Sequence, residues 1–233
     1  VDDAHASARQ IQRVDLHGPA GRLEALFLLP PQVPRGAALV CHAHPLHGGS
    51  MHTKAVYRTA RGLAADDFAV LRFNFRGVGR SAGVFDAGRG EIDDARAAFD
   101  WLAAHGGSGP RLLGGFSFGS SMALRLAARL LAETPHAPPV QALLAIGIPL
   151  TLDAFDFLET LDLPVLLVVG DRDPFCPLAD LQDLAGRLGA RAHVHVLPGA
   201  GHLLTERLDE LQEAVRGFVA RVVPAGPERP AGR

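Results

Sequence analysis

The chain has 233 residues, 48% hydrophobic and 21% charged, a balance that excludes disordered and fibrous classes and lets one domain bury roughly 70% of its unfolded surface. A formal charge of −2 excludes the basic field that nucleic acid or an anionic membrane demands, which leaves a small neutral or amphipathic molecule as the expected partner. Two cysteines, Cys41 and Cys176, are too few for a disulfide framework, and neither a secretory apolar core in residues 1–10 nor a stretch near the roughly 18 apolar residues of a membrane span is present, so a cytoplasmic protein with reduced thiols is predicted.

Residues 11–18 and 22–30 are short apolar-rich runs divided by Pro19, Ala20 and Gly21, the punctuation of a β-hairpin. After Pro30 and Pro31, strands and helices alternate. The spacing predicts a strand over 37–44, a helix over 51–65 and a strand over 68–75. A Gly-rich loop then leads to a helix over about 91–104, with Ile92, Ala95, Phe99 and Leu102 on one face. Further strands are expected at 111–116, 140–148, 164–170 and 192–197, and helices at 120–131, 178–188 and 208–222.

This order predicts an α/β class: a mostly parallel, doubly wound sheet of about eight strands behind an N-terminal antiparallel hairpin. One domain is expected over 1–223, with the Pro-, Gly- and Arg-rich residues 224–233 as a solvated tail. Only about fourteen residues separate the strand ending near 150 from the one starting at 164, too few for a pair of packed helices, so no cap domain is predicted. Ligands of such sheets bind beyond the carboxyl ends of the strands.

Gly115-Phe116-Ser117-Phe118-Gly119 follows one of these strands and opens a helix, the context of a nucleophile elbow. A strained turn at the serine requires close approach of strand and helix, which Gly115 and Gly119 permit. A hydroxyl needs a base, and the base needs a carboxylate to fix its tautomer. His202 follows a strand on the small-residue loop Pro198-Gly199-Ala200-Gly201, whereas His193 and His195 lie inside the strand and read as structural. In Gly170-Asp171-Arg172-Asp173-Pro174, Asp173 lies further beyond the strand and is preferred, leaving Asp171 to bond loop N–H groups.

Oxyanion donors are expected from the N–H of Phe118 and from the loop His42-Ala43-His44-Pro45-Leu46-His47-Gly48-Gly49. Pro45 has no N–H; taking Gly48 as the turn glycine favours Leu46, with His44 as the alternative donor. His42, His44 and His47 approach the spacing of a binuclear metal site, but Leu46 stands where such a motif carries aspartate, so no metal and no cofactor are predicted. Arg76 and Arg80, with Asp86, Glu91 and Asp94, form a charged set, read either as a salt-bridged wall or as recognition of a substrate carboxylate.

With these residues in view, the chain resembles the α/β-hydrolase superfamily over nearly its whole length. It is most similar to a group of small, lidless bacterial serine hydrolases related to dienelactone hydrolases. The resemblance rests on the histidine loop, on Asn74-Phe75-Arg76-Gly77-Val78-Gly79 with Ser81 and Gly83, on Phe85-Asp86 with Gly88, Gly90-Glu91 and Asp94, and on the elbow, the Asp173 loop and His202. Where this chain has Ala43 the group usually has proline. Dienelactone hydrolases carry cysteine at the elbow, and dehalogenases and epoxide hydrolases carry aspartate, so Ser117 favours ordinary esters. The resemblance implies carboxylesterase-like activity. The residues assign the reaction to Ser117, His202 and Asp173, the absence of a cap over apolar walls at Leu46, Phe118, Pro149 and Leu150 favours short-chain acyl esters, and His44 and Arg76 are further candidate substrate contacts. A peptidase or amidase using the same residues, and a non-catalytic binding protein of the same fold, are the rival expectations. Assembly into a homo-oligomer is left open.

Overall fold

A computed structural model describes residues 9–134, 136 and 139–223; the expected tail over 224–233 lies outside them. β1 (Gln10–Gly18) and β2 (Gly21–Leu29) form the expected hairpin, with Gly18 opposite Gly21 at the turn. β3 (Gly36–Cys41), α1 (Lys54–Ala65), β4 (Phe68–Phe73), α2 (Arg89–His105), β5 (Arg111–Phe116) and α3 (Phe118–Glu133) follow. The chain continues through β6 (Ala142–Ile146), β7 (Val165–Gly170), α4 (Leu178–Leu188), β8 (Ala192–Leu197) and α5 (Leu208–Val222).

The eight strands form one sheet in the order β1-β2-β4-β3-β5-β6-β7-β8. β2 pairs antiparallel with both β1 and β4, and the other pairings are parallel. Every residue of β3, β4, β6 and β7 is buried, because helices cover both faces. Alternation along a strand divides the core in two: Ala37, Leu39 and Cys41 face the α2, α3 and α4 side, while Ala38 and Val40 face α1 and α5.

Several predicted strands run past the observed ends. β3 stops at Cys41, not 44, since His42 and His44 enter a loop that closes as a 3-10 turn over Pro45–His47. β4 ends at Phe73, where Asn74 and Phe75 turn away to bond other loops. Between β6 and β7 the only helical element is the 3-10 turn Asp156–Thr160, so no cap covers the sheet. Among the described residues, no helix is long and apolar enough to cross a membrane.

The loops after β3, β5, β6, β7 and β8 all leave the carboxyl edge of the sheet, which brings His44, Ser117, Pro149, Asp173 and His202 to one end. The 74–94 segment follows β4 at the same edge, and its charged side chains are paired within it or with neighbouring elements. Glu91 accepts the N–H groups of Asp86 and Gly88 at 2.9 and 2.8 Å, closing the first turn of α2. Arg80 Nε binds Glu24 Oε1 at 2.9 Å.

Candidate active site

Ser117 sits between β5 and α3 with φ 54° and ψ −123°, a positive-φ conformation costly for a non-glycine residue. Its N–H bonds Ile146 O at 2.8 Å, and its carbonyl accepts Ser120 Oγ at 2.6 Å. The flanking glycines are required by contact. A Cβ on Gly115 would lie 2.3 Å from the Gly119 carbonyl carbon, and one on Gly119 would lie 2.4 Å from both Cys41 O and His42 O. The packing of elbow against sheet therefore holds the strained turn.

His202 Nε2 lies 2.8 Å from Ser117 Oγ, and its Nδ1 lies 2.8 Å from Asp173 Oδ2. The other oxygen of Asp173 accepts the Phe175 N–H at 2.9 Å, so the carboxylate is anchored on both sides and fully buried at its side chain. The imidazole stacks on Phe116 (5.3 Å between centroids) and meets the edge of Phe175 (4.8 Å). Asp171 instead fastens the loop that carries His202, its Oδ1 accepting the Gly199 N–H at 2.7 Å. Of the two strand histidines, His193 meets Phe218 edge-on at 5.1 Å and His195 is exposed on the edge strand β8.

The loop after β3 corrects one expectation. The Leu46 N–H donates to His44 Nδ1 at 3.2 Å, and Leu46 is 69% exposed and does not line the cleft at Ser117. That bond caps the 3-10 turn and commits the donor that the sequence favoured. The alternative, the His44 N–H, has no partner among the described residues, and neither has the Phe118 N–H at the start of α3. His44 O accepts both His47 N–H (3.0 Å) and Gly49 N–H (3.1 Å), which fixes this segment, and Gly48 takes the left-handed turn with φ 77°.

The three loop histidines are engaged within the protein. His42 is buried; its Nδ1 bonds Ala43 O at 2.6 Å and its Nε2 accepts the Phe75 N–H at 3.0 Å, which leaves neither ring nitrogen for a metal. His44 stacks on His47 (4.4 Å) and packs against Phe85 and Phe118. Among the described residues, no group of three or more His, Cys, Asp and Glu is placed to hold a metal ion.

Burial pushes the His42 pKa down to about 4, against a smaller upward pull from the Ala43 carbonyl. A histidine depressed in the folded state stays neutral there while the unfolded chain takes up a proton, so stability falls as pH drops from the ordinary value of 6.5 towards 4. The loss from this group should reach about 3 kcal/mol. Urea denaturation followed from about pH 7 down to about pH 4, across this window, should show the decline, and His42→Gln should flatten it.

Arg76 requires a second correction. Its Nε and Nη2 grip Asp94 at 2.9 and 2.8 Å, its backbone N–H binds the same carboxylate at 3.0 Å, and a Cβ on Gly90 would lie 1.8 Å from Nη1. The guanidinium is held against the first turn of α2 at Gly90 and is not part of the cleft lining, so it does not meet a substrate there. Removing it would strand the fully buried Asp94 side chain. Arg76→Ala should therefore cost about 3–5 kcal/mol, read as a lowered urea midpoint.

The cleft at Ser117 has a volume of about 890 Å3. His44 and Pro149 line it as expected, but Leu150 does not, being turned instead against the core beside α3. Sequence reasoning missed Phe175, Met122, Ile92 and Leu152 as walls, together with Arg89, Arg125 and Asp153. For α3 a signal existed: Ser121 and Arg125 follow Ser117 at intervals of four, which places the two on one face of the helix that Ser117 precedes.

A family profile described as alpha/beta hydrolase fold matches residues 45–158. An uncharacterized protein of Rickettsia prowazekii is 34% identical over 219 residues, spanning 90% of this chain and 89% of the relative. A crystal structure from Xanthomonas campestris, described as an α/β serine hydrolase without a lid, is 33% identical, with a TM-score of 0.79 over 94% of this chain and 97% of the other. An α/β serine hydrolase homologue from Coxiella burnetii is 31% identical, with a TM-score of 0.80 over 90% and 97%.

Proposed function

Because the chain belongs to the α/β-hydrolase fold family, among its lidless serine hydrolases, we propose that it is a carboxylesterase acting on short- to medium-chain acyl esters through a covalent acyl-enzyme. The observation that carries this reading is the continuous hydrogen-bonded chain Asp173–His202–Ser117 opening into an apolar cleft. His202 Nε2 takes the Ser117 proton as Oγ attacks the acyl carbon. The Asp173 carboxylate, held by the Phe175 N–H, keeps the Nδ1–H tautomer and stabilises the imidazolium.

Negative charge forming on the carbonyl oxygen falls to the N–H groups of Phe118 and His44 and to the positive end of α3. His202 then returns its proton to the leaving alcohol. Water, deprotonated by the same imidazole, cleaves the acyl-enzyme and restores Ser117. These residues need no cofactor for the reaction.

A series of p-nitrophenyl esters tests the reading. The open cleft and its walls of Ile92, Met122 and Leu152 predict kcat/KM rising from acetyl to a best value between butyryl and octanoyl, then falling at palmitoyl. A maximum at palmitoyl would contradict the chain-length assignment. Equal turnover of matched anilides would favour the amidase.

A further inference from the structure

α3 leads away from Ser117 along the floor of the cleft, and Ser121 and Arg125 succeed one another on its lining face. At 1.5 Å per residue, Arg125 lies roughly 12 Å along the helix axis from the nucleophile. Met122, Ile92 and Leu152 line the cleft with them. An apolar trough with a reactive serine at one end thus has a guanidinium at the other.

That guanidinium is only partly committed. Nε binds Asp153 Oδ2 at 3.3 Å, Nη2 binds Asp153 Oδ1 and lies 3.4 Å from Ala154 O, and the group rests over the Phe157 ring at 5.3 Å. Nη1 has no hydrogen-bond partner among the described residues, and neither has the Ser121 hydroxyl. Guanidinium nitrogens only donate, so the free edge selects an acceptor. Arg89, the other arginine of the lining, is paired with Asp86 at 2.9 Å, so the free edge of Arg125 is the donor this end of the cleft offers to an anion.

The acyl and alcohol sides can be told apart. His202 must deliver its proton to the leaving oxygen, so the alcohol lies beside His202, Phe175 and Leu203, and the acyl chain takes the α3 side. We propose that the preferred substrates are acyl esters whose chain ends in a carboxylate, with Arg125 as the specificity-determining residue and Ser121 as an auxiliary donor. The inference rests on the serine-esterase reading and names its substrate class.

The test compares p-nitrophenyl octanoate with mono-p-nitrophenyl suberate, which has the same number of carbons and a carboxylate in place of the terminal methyl. In the wild type the ratio of kcat/KM, suberate over octanoate, should exceed that in Arg125→Met by about tenfold, the value of one charge-assisted hydrogen bond. The difference should lie mainly in KM, since the contact is remote from the reacting carbon. Arg125→Lys should recover part of the ratio, and Asp153→Asn should raise it by removing the competing carboxylate. A ratio identical in wild type and Arg125→Met, or an equal loss on both esters, would overturn the proposal while leaving the esterase intact. Hydrolysis of neither ester by the wild type, or hydrolysis surviving in Ser117→Ala, would overturn the serine-esterase reading and this inference with it.

Discussion

Ser117→Ala is expected to lower kcat on p-nitrophenyl butyrate by about 10^5- to 10^6-fold, with the protein still folded. The side chain removed is small and half-buried, and its loss leaves the φ 54° turn, the Ile146 contact and both flanking glycines in place. Alanine tolerates that backbone no worse than serine does. The loss is confined to Oγ, the atom that His202 Nε2 approaches to 2.8 Å. Residual turnover would come from the N–H groups of Phe118 and His44 acting on water attack. An unchanged urea midpoint alongside lost kcat separates this chemistry from unfolding.

Asp173→Asn should lower kcat by about 10^4-fold with little change in KM. The reason lies in the two bonds of this carboxylate. An asparagine whose oxygen keeps the Phe175 N–H turns its NH2 towards His202 Nδ1. That nitrogen must then be the acceptor, the ring proton moves to Nε2, and the imidazole can no longer take a proton from Ser117. Asp171→Asn should cost far less, because Asp171 holds only the Gly199 N–H. Steady-state kinetics of the two variants side by side would distinguish the aspartates; equal losses would contradict the assignment.

The elbow was legible because its chemistry is local. Five consecutive residues, an apolar strand before them and a helix after them impose the turn, and Gly115 and Gly119 meet the backbone contacts that their spelling implies. Asp173 and His202 were legible from loop position, since both follow buried strands at the carboxyl edge of the sheet. Which N–H of the loop after β3 stays free was not, because the choice between Leu46 and His44 depends on which N–H the His44 ring accepts. Arg76 was ambiguous for a related reason. Its partner Asp94 lies eighteen residues on, in α2, and only the fold shows Nε and Nη2 of the guanidinium spent on it.

The far end of the cleft illustrates a third limit. Arg125 belongs to an ordinary alanine- and leucine-rich helix, and Asp153 to a short loop that composition alone leaves featureless. Their pairing requires β6 to sit beside β5, a consequence of sheet order. Tertiary contact turns these residues into part of a binding surface, and pattern along the chain carries only half of it, the four-residue spacing from Ser117.

The central claim is that Ser117 is a nucleophile activated by His202. Treatment with a fluorophosphonate followed by intact-mass and peptide mass spectrometry tests it most directly. The account predicts one adduct per chain, located on Ser117, absent from Ser117→Ala and strongly slowed in Asp173→Asn. Labelling that persists in Ser117→Ala, or a wild-type protein that resists the probe while folded, would contradict it.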